Sequence, residues 1–231
     1  MNREKNLKVE SVAPEVETSV KEVFKVARYI QDKSKMEKMV VFLSELLKWN
    51  RKINLTGTDD AMALAEKQLY DSCMPIKWEI EKLSQNSTLL DIGSGGGFPA
   101  IPLKILRPQL KMHLIESKTK KVNFLKHITR ILDLEDIKIH SSRFPFIDSK
   151  ELIEEKIDII TTKAVKPDLG ILTAMNQLIA DDGIVLLYRK FTREEKKMVV
   201  ESKFKVSEEI SYLLPKSRTK RTLTILTKLP S

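Results

Sequence analysis

Cysteine, glycine and proline are scarce in this chain of 231 residues, and each scarcity excludes a class of protein. The single cysteine, Cys73, excludes a disulfide scaffold and any Cys-rich zinc module, and it is typical of a reducing compartment. Seven glycines and nine prolines beside 42% apolar residues exclude collagen-like and disordered chains. No uncharged apolar run approaches the roughly 20 residues that cross a bilayer, and no secretory signal is expected in the polar N-terminus. We therefore expect a cytoplasmic protein with no membrane partner and no metal site.

What the chain does have is positive charge, and that charge is concentrated in two segments. The formal net charge is +9, from 41 basic and 32 acidic residues. Residues 101–130 carry eight basic residues against one acid, and residues 211–231 carry five with no acid, so the remainder is slightly acidic. This excess predicts an anionic partner, although charge alone does not identify the anion.

The first third of the chain has the apolar spacing of helices. Apolar residues recur every three or four positions over 20–31 and 35–50, and Asp59-Asp60 offers caps for a further helix over 60–70. The residues before them lack this periodicity. We predict three regions: a flexible tail over 1–16, a helical subdomain over 17–75 and a larger ligand-binding domain over 76–231.

After residue 87, short apolar runs alternate with helical segments. This alternation predicts a parallel sheet covered by helices on both faces. Two C-terminal strand-like segments joined by a basic loop predict a final antiparallel hairpin. Five strand–helix units followed by a hairpin resemble the α/β fold of class I methyltransferases, with a Rossmann-like, seven-stranded, mostly parallel sheet. The predicted strands cover residues 88–92, 112–116, 136–140, 157–161, 183–188, 204–211 and 221–227.

The most informative segment, residues 90–99, reads LDIGSGGGFP and lies between the first predicted strand of the sheet and a helix. Phe98 occupies the position at which a dinucleotide-binding fingerprint requires its last glycine, so that fingerprint is excluded. The Gly-Lys-Ser/Thr sequence of a P-loop is also absent, so a P-loop is excluded as well. The remaining pattern, D-x-G-x-G-x-G, is the one that S-adenosylmethionine (SAM) enzymes carry. Glycines at such a turn let the backbone approach a ligand closely. Asp91 is expected to order the turn or to reach the amino group of SAM through water. The glycines expected to clear space for SAM are Gly93, Gly95 and Gly97.

A second signal is Glu116, which ends the next predicted strand, 19 residues beyond Gly97. An acid at that position accepts both ribose hydroxyls in nucleotide-binding α/β folds. Taken alone, either feature also suits a plain glycine-rich turn or a surface acid. Their combination at this spacing, inside a strand–helix–strand pattern, favours SAM binding.

The residues expected of two methyltransferase chemistries are missing. After the fourth strand, residues 161–167 read TTKAVKP instead of the Asp/Asn-Pro-Pro-Tyr/Phe signature that holds an exocyclic amine. The one cysteine lies outside the SAM-binding half, so it does not suit a pyrimidine-C5 nucleophile, and no histidine stands where a general base is expected. These absences favour an acceptor such as guanine N7, whose lone pair attacks a methyl group directly.

Residues 36–228 resemble the RsmG (glucose-inhibited division protein B) family of bacterial enzymes. The pair of a WN…NLT segment and G-x-G-G-G-F-P is specific to that family, whereas the glycine loop alone is not. The resemblance implies SAM-dependent methylation of guanine N7 in the 530 loop of 16S ribosomal RNA, with the rRNA or the 30S subunit as partner and the enzyme acting as a monomer. The matching segments include Trp49-Asn50, Asn54-Leu55-Thr56, Asp71-Ser72, residues 91–99, Glu116-Ser117, Lys120-Lys121, Ser142-Arg143, Lys163-Ala164-Val165 and Arg221.

The resemblance also implies roles for single residues. Lys163 stands where the family usually has Arg, in a segment that lines both the cofactor and the acceptor site. Arg143 and Arg221 match basic positions that face the RNA, so these three cations are expected to position the acceptor without a general base. Without the family, each of the three also suits an ordinary solvated cation. The implied SAM contacts are Gly93, Phe98, Glu116, Ser117, Phe144, Pro145 and Lys163.

Three departures from the family pattern cluster where the acceptor should bind. Gln68 replaces the histidine of His-x-x-Asp-Ser, Arg189-Lys190 replaces Lys-Gly, and Lys163 lacks the planar fork of arginine. These departures affect the expected identity of the target base more than the expected reaction. Two alternatives stay open: a SAM-dependent methyltransferase of another RNA or of a small molecule, and a SAM-fold RNA-binding protein without catalysis.

Overall fold

The computed structural model of the chain describes residues 13–25, 32–78, 80–84, 86–145, 156–163 and 165–230. The helix predicted over 20–31 begins earlier, because α1 runs over Pro14–Lys25, and residues 26–31 lie outside the described residues. α1 thus starts inside the predicted tail over 1–16, whose first twelve residues also lie outside the described part. The division of the chain into tail, helical subdomain and larger domain stays a prediction.

α2, Lys33–Ile53, contains the helix predicted over 35–50, and local chemistry sets both of its ends. At the start, the Asp32 side chain accepts two backbone N–H groups of the first turn, which have no partner within the helix. At the end, Asn54 adopts the left-handed conformation with φ of 51°, which is common where a helix terminates.

The helix predicted over 60–70 is also present, but its second half is wound differently. α3, Ala61–Leu64, is capped by Asp60 and continues directly into a π-helical segment, Ala65–Tyr70. π-Helical turns are rare and often occur at functional sites. A short α4, Met74–Lys77, and a single turn of 3₁₀ helix, Glu81–Ser84, then lead to the sheet.

A seven-stranded sheet with helices between its strands forms the rest of the described structure. Its strands are β1 (Thr88–Ile92), β2 (Lys111–Glu116), β3 (Ile137–Ser141), β4 (Ile157–Thr162), β5 (Ile179–Leu187), β6 (Phe204–Leu213) and β7 (Lys220–Lys228). The described helices that accompany them are α5 (Ala100–Leu106), α6 (Thr119–Ile131), α7 (Leu169–Leu178) and α8 (Arg193–Glu201).

The strand order is β3-β2-β1-β4-β5-β7-β6. β1 to β5 are parallel, and β7 runs antiparallel to both β5 and β6, which confirms the predicted mostly parallel sheet with a C-terminal hairpin. β5 starts earlier than predicted, because Ile179 pairs with Ile157 ahead of an irregularity in the register. The order reverses between β1 and β4, and ligands of open α/β sheets bind beyond the carboxyl ends of the strands at such a point.

The N-terminal helices pack on the sheet through one buried apolar cluster. Phe42 and Leu46 of α2 belong to the same cluster as Phe98 and Leu125, which follow β1 and β2. The rings of Phe42 and Phe98 have centroids 5.1 Å apart. The helical region therefore forms one wall beside the carboxyl edge of the sheet. No helix among the described residues is both long and apolar enough to span a membrane.

Candidate functional site

A cleft of about 740 Å³ opens at the carboxyl edge of the sheet, where the strand order reverses. Its walls come from the loop after β1, the end of β2, the loop after β3, the end of β4 and the segment after α2. Its volume is in the range of cavities that hold cofactors. The predicted SAM contacts that line it are Gly93, Gly95, Phe98, Glu116, Ser117, Phe144, Pro145 and Lys163.

The loop after β1 takes a conformation that suits glycine and few other residues. Gly93 and Gly97 have φ of 74° and 88°, in the left-handed region that L side chains rarely adopt. A Cβ on Gly93 would lie 2.5 Å from Val165 Cγ2, and one on Gly97 would lie 2.7 Å from Ile101 Cγ1. These two clashes explain why residues 93 and 97 are glycines. The second also shows that the loop packs closely on α5.

Asp91 is completely buried at the end of β1, just before this loop. Its Oδ1 accepts a hydrogen bond from Thr161 Oγ1 on the neighbouring β4 at 2.7 Å, while Oδ2 has no hydrogen-bond partner among the described residues. Burial raises the pKa of the Asp91 carboxyl from 3.8 to about 7, because the charged form loses its hydration. Asp91 therefore keeps a buried acceptor oxygen with unused capacity, but neither Asp91 nor Gly97 is among the described residues that line the cleft.

Glu116 ends β2 as predicted, and it is tied to the glycine loop by its side chain. Its Oε2 accepts the backbone N–H of Gly95 at 2.9 Å, and its Oε1 accepts the backbone N–H of Lys118 at 2.8 Å. The residue is 7% exposed and borders the cleft. Since each carboxylate oxygen has two acceptor sites, both oxygens can still receive a hydroxyl group.

The loop after β3 forms the opposite wall. Phe144 is buried and joins the apolar cluster that includes Leu172 of α7, and Pro145 beside it is exposed. Arg143 also lines the cleft and is exposed, so its guanidinium is accessible from solvent. This loop thus offers an apolar surface and a cation to a ligand in the cleft.

Lys163 lies at the end of β4 on the side of the cleft that faces the N-terminal helices. Its Nζ is 3.0 Å from Asp71 Oδ2 and also donates to the carbonyl oxygens of Lys67 and Gln68, each at 3.1 Å. Burial lowers the pKa of the Lys163 ammonium, and the neighbouring Asp71 carboxylate opposes that effect. The structure therefore places Lys163 at the cleft, with its charge paired to the protein itself.

Arg221 is the one predicted acceptor-side cation that does not line the cleft among the described residues. It begins the buried part of β7 and pairs across the hairpin with Tyr212 of β6. Its Nε is buried and has no partner among the described atoms. Arg221 also lowers the pKa of Lys163 by charge repulsion, so its side chain lies near the Lys163–Asp71 pair.

Several further residues line the cleft without having been assigned to a site from the sequence. Lys118 and Lys121 were visible as part of the basic segment over 101–130, but charge counting does not say which lysines face a ligand. Asp168 caps α7 by accepting the backbone N–H of Ile171 at 2.8 Å. The available signal for it was an Asp directly ahead of an apolar helical stretch.

The cleft therefore combines features that suit an anionic or nucleotide-like ligand. A buried acid at the end of β2 lies beside a glycine loop, and cations stand around the opening. Among the described residues the cleft contains no cysteine and no histidine, so its lining offers neither a thiolate nor an imidazole base. Such a site can bind and orient reactants.

The chain is similar in sequence to known proteins of one family. It matches the family described as rRNA small subunit methyltransferase G over residues 35–224. The ribosomal RNA small subunit methyltransferase G of Helicobacter hepaticus is 33% identical over 174 residues, 74% of this chain and 90% of that protein. The one of Desulfotalea psychrophila is 34% identical over 206 residues, 84% and 90% of the two chains. The match to the one of a Roseiflexus species is 36% identical over 134 residues and spans 58% of this chain and 56% of that protein.

Solved structures resemble the chain in fold. A Burkholderia thailandensis 1,6-didemethyltoxoflavin-N1-methyltransferase with bound S-adenosylhomocysteine superposes with a TM-score of 0.56 at 12% identity, covering 71% of this chain and 80% of the other. A SAM-dependent methyltransferase from Aquifex aeolicus superposes with a TM-score of 0.51 at 17% identity, covering 66% and 88%. At these identities the likeness shows the fold alone, which is that of SAM-dependent methyltransferases.

Proposed function

The chain belongs to the rRNA small subunit methyltransferase G family, and from that membership we propose that it methylates N7 of a guanine in the 530 loop of 16S rRNA, with SAM as cofactor. The observation that supports the proposal most directly is the hydrogen bond that joins Glu116 to the glycine loop. The Glu116 carboxylate holds the N–H of Gly95, so the ribose-binding acid and the glycine loop form one wall of one cleft.

The described residues fit SAM at this wall. Gly93 lines the cleft with its backbone alone, because a Cβ there would lie 2.5 Å from Val165 Cγ2. The unpartnered Asp91 Oδ2 is a buried acceptor of the kind that an ammonium group satisfies directly or through water. Glu116 would hold the ribose hydroxyls, and Phe144 offers an apolar surface on the opposite wall. When bound, SAM supplies an electrophilic methyl group.

The acceptor side of the proposal needs no proton transfer to the protein. Guanine N7 has a free lone pair, so the residues of the cleft have to align the base with the methyl group and exclude water. Lys163, Arg143 and Arg221 are assigned to positioning the acceptor, although by different routes. Arg143 is exposed at the cleft and would contact RNA. Lys163 lines the cleft with its charge paired to Asp71, and Arg221 lies near that pair but outside the described lining.

The partner is 16S rRNA, either free or within the 30S subunit. Backbone phosphates would contact the cations at the opening of the cleft, which position RNA without reading its sequence. We propose that the protein acts as a monomer. We assign the protein to the cytoplasm, where its rRNA substrate is made.

The test uses purified protein, radiolabelled SAM, and 16S rRNA or 30S subunits from a strain that lacks the gene. Transfer of label, followed by chain cleavage at N7-methylguanine, should give one product at the 530 loop. Glu116→Gln should abolish most of the transfer while the protein stays folded. Methylation of another RNA or of a small molecule in the same assay would replace the acceptor, and persistence of the methyl group in the deletion strain would refute the assignment.

A further inference from the structure

Asp71 joins three parts of the fold that are distant in sequence. It lies just after the π-helical segment and is 3% exposed. Its Oδ1 accepts the hydroxyl hydrogen of Tyr212 from β6 at 2.5 Å, and its Oδ2 pairs with Lys163 Nζ from the end of β4 at 3.0 Å. One buried carboxylate therefore connects the N-terminal helices, the C-terminal hairpin and the cleft.

Lys163 extends this connection to the acceptor side of the cleft. Besides Asp71, its ammonium binds the carbonyl oxygens of Lys67 and Gln68, so three donors are directed to residues 67–71. The Gln68 carbonyl also accepts the Ser72 hydroxyl at 2.6 Å, and Gln68 itself lines the cleft. Lys163 Nζ is 5.7 Å from the centroid of the Phe98 ring, at the end of the glycine loop. Lys163 thus connects the segment that contains Gln68 with the part of the cleft formed by the glycine loop.

The pairing requires both charges. A buried ammonium without its carboxylate keeps the cost of desolvation and loses the attraction that offsets it. Arg221 is a second cation near Lys163 and opposes its charge, so Asp71 is the anion on which the Lys163 ammonium depends. Without that anion, the lysine would give up its proton at lower pH.

We infer that Asp71 is a positioning residue for methyl transfer, because it keeps Lys163 charged and so holds the 67–72 segment, with Gln68, against the acceptor end of the cleft. The inference rests on the proposed function for the statement that a base enters there. Asp71 itself does not line the cleft among the described residues, so its action passes through Lys163.

The groups around Lys163 come from several elements of the fold. The Cys73 thiol, from the segment before α4, is buried with a raised pKa and is therefore uncharged. The hydroxyls of Tyr188 and Tyr212 also have raised pKa values, because burial disfavours their anions. The charged or titratable neighbours are Asp71 from the N-terminal helices, Arg221 from β7 and Asp91 from β1.

The test compares the wild type, Asp71→Asn, Lys163→Arg and the double variant. Methyl transfer to unmethylated 16S rRNA is measured between about pH 7 and about pH 10, a range chosen around the titration of a buried lysine. Asp71→Asn should lower kcat roughly 10- to 100-fold, the effect of displaced positioning groups. Its SAM Kd should stay within about twofold of the wild type, because the glycine loop is unchanged.

The pH profile separates positioning from general damage. In Asp71→Asn the alkaline fall in kcat should move to lower pH, because the carboxylate no longer supports the ammonium. In the Lys163→Arg background the same change should cause no such movement, since a guanidinium does not titrate in this range. Titration of the RNA itself is common to all four proteins and cancels in the comparison.

Tyr212→Phe is the matched control, because it removes the other hydrogen bond to Asp71 and leaves its charge. In Tyr212→Phe, the alkaline fall in kcat should occur at the same pH as in the wild type. The inference is overturned if the alkaline fall in kcat occurs at the same pH in Asp71→Asn as in the wild type. It is also overturned if Asp71→Asn moves that fall equally far in the Lys163→Arg background. If Asp71→Asn does not fold, Lys163→Met is measured instead, and wild-type kcat in that variant overturns it. Absence of rRNA methylation by the wild type would instead contradict the proposed function.

Discussion

The carboxylate of Glu116 accepts the backbone N–H of Gly95 at 2.9 Å, so the end of β2 and the loop after β1 are joined by a side chain and by the sheet. Two residues that are 21 positions apart in the sequence thereby share one wall of the cleft. The loop's shape and the acid's orientation depend on each other, and ligand binding should depend on both.

Glu116→Gln should weaken SAM binding by roughly 10- to 100-fold, the loss expected when hydrogen bonds to a charged acceptor become neutral. The amide also has only one acceptor oxygen for the N–H groups of Gly95 and Lys118. Isothermal titration with SAM measures the change. Glu201→Gln, on the exposed end of α8, is the control and should bind as the wild type does.

Gly93→Ala should impair SAM binding through both space and backbone conformation. The added Cβ would lie 2.5 Å from Val165 Cγ2, at a φ of 74°. Val165→Ala in the same chain should restore part of the affinity by relieving the contact, but not the strain of the left-handed backbone. Glu201→Gln, which lies outside the described lining of the cleft, serves again as the control and should bind SAM as the wild type does. Equal SAM affinity of Gly93→Ala and the wild type would contradict the placement of this loop.

Asp91 should make the stability of the ligand-free protein fall as pH rises. Its pKa is raised to about 7 in the folded state from 3.8, so between those values the folded protein binds a proton that the unfolded chain has released. The contribution of Asp91 is most favourable below about pH 4 and is lost by about pH 7. Urea unfolding across this range should show a flatter pH dependence in Asp91→Asn than in the wild type. Parallel curves for the two proteins would show that Asp91 is not the group responsible.

Glu66 should stabilise the hairpin by anchoring its connecting loop. Its buried Oε1 accepts the backbone N–H groups of Lys216 and Ser217 at 2.5 and 2.8 Å. Glu66→Ala should therefore lower the free energy of unfolding by about 1–3 kcal/mol, the cost of leaving buried donors unpaired. Glu22→Gln is the control, since Glu22 pairs with the exposed Lys216 ammonium, and such surface pairs contribute little to stability. Urea denaturation compares the variants, and a Glu66→Ala curve that overlays the control would exclude the anchor.

The cations at the cleft should account for part of the salt dependence of RNA binding. Lys121→Ala and Arg143→Ala should each weaken binding and reduce the slope of log Kd against log salt by about 0.7–0.9, the value for one lost phosphate contact. Lys216→Ala should change the slope less, because its ammonium already pairs with Glu22 at 2.8 Å. Filter binding to a 530-loop RNA at several salt concentrations measures the slopes. Unchanged slopes for the cleft variants would make those cations ordinary surface charges.

The fold could be predicted from the sequence because its signals are local and repeat along the chain. The alternation of apolar runs and helical segments after residue 87 predicted the sheet, and the basic loop predicted the hairpin, as the strand order confirms. The N-terminal boundary was placed too late, although Pro14 at the first helical position and Glu15 and Glu17 in the first turn are start signals for α1. The π-helical winding over Ala65–Tyr70 had no recognisable signal in the sequence.

The candidate site was predictable in part. The glycine loop and Glu116 were found because close backbone approach and ribose binding restrict the residue types allowed there. Lys163 was found as a position but its partner was not, since Asp71 lies 92 positions away in the sequence. Arg221 was grouped with cations that face RNA, but it is not among the described residues that line the cleft and lies near the Lys163–Asp71 pair, a relation that no spacing rule contains.

By itself, the sequence determined the class of fold, the cofactor loop and the acid that completes it, since these follow from periodicity and from backbone geometry that only glycine allows. The tertiary structure alone decided which charges are free to meet a substrate. Lys163 and Arg143 are both cations at the cleft, yet one is bound to a buried carboxylate and the other is exposed. Burial and pairing depend on residues that meet only when the chain folds, because electrostatic interactions act across space and not along the sequence.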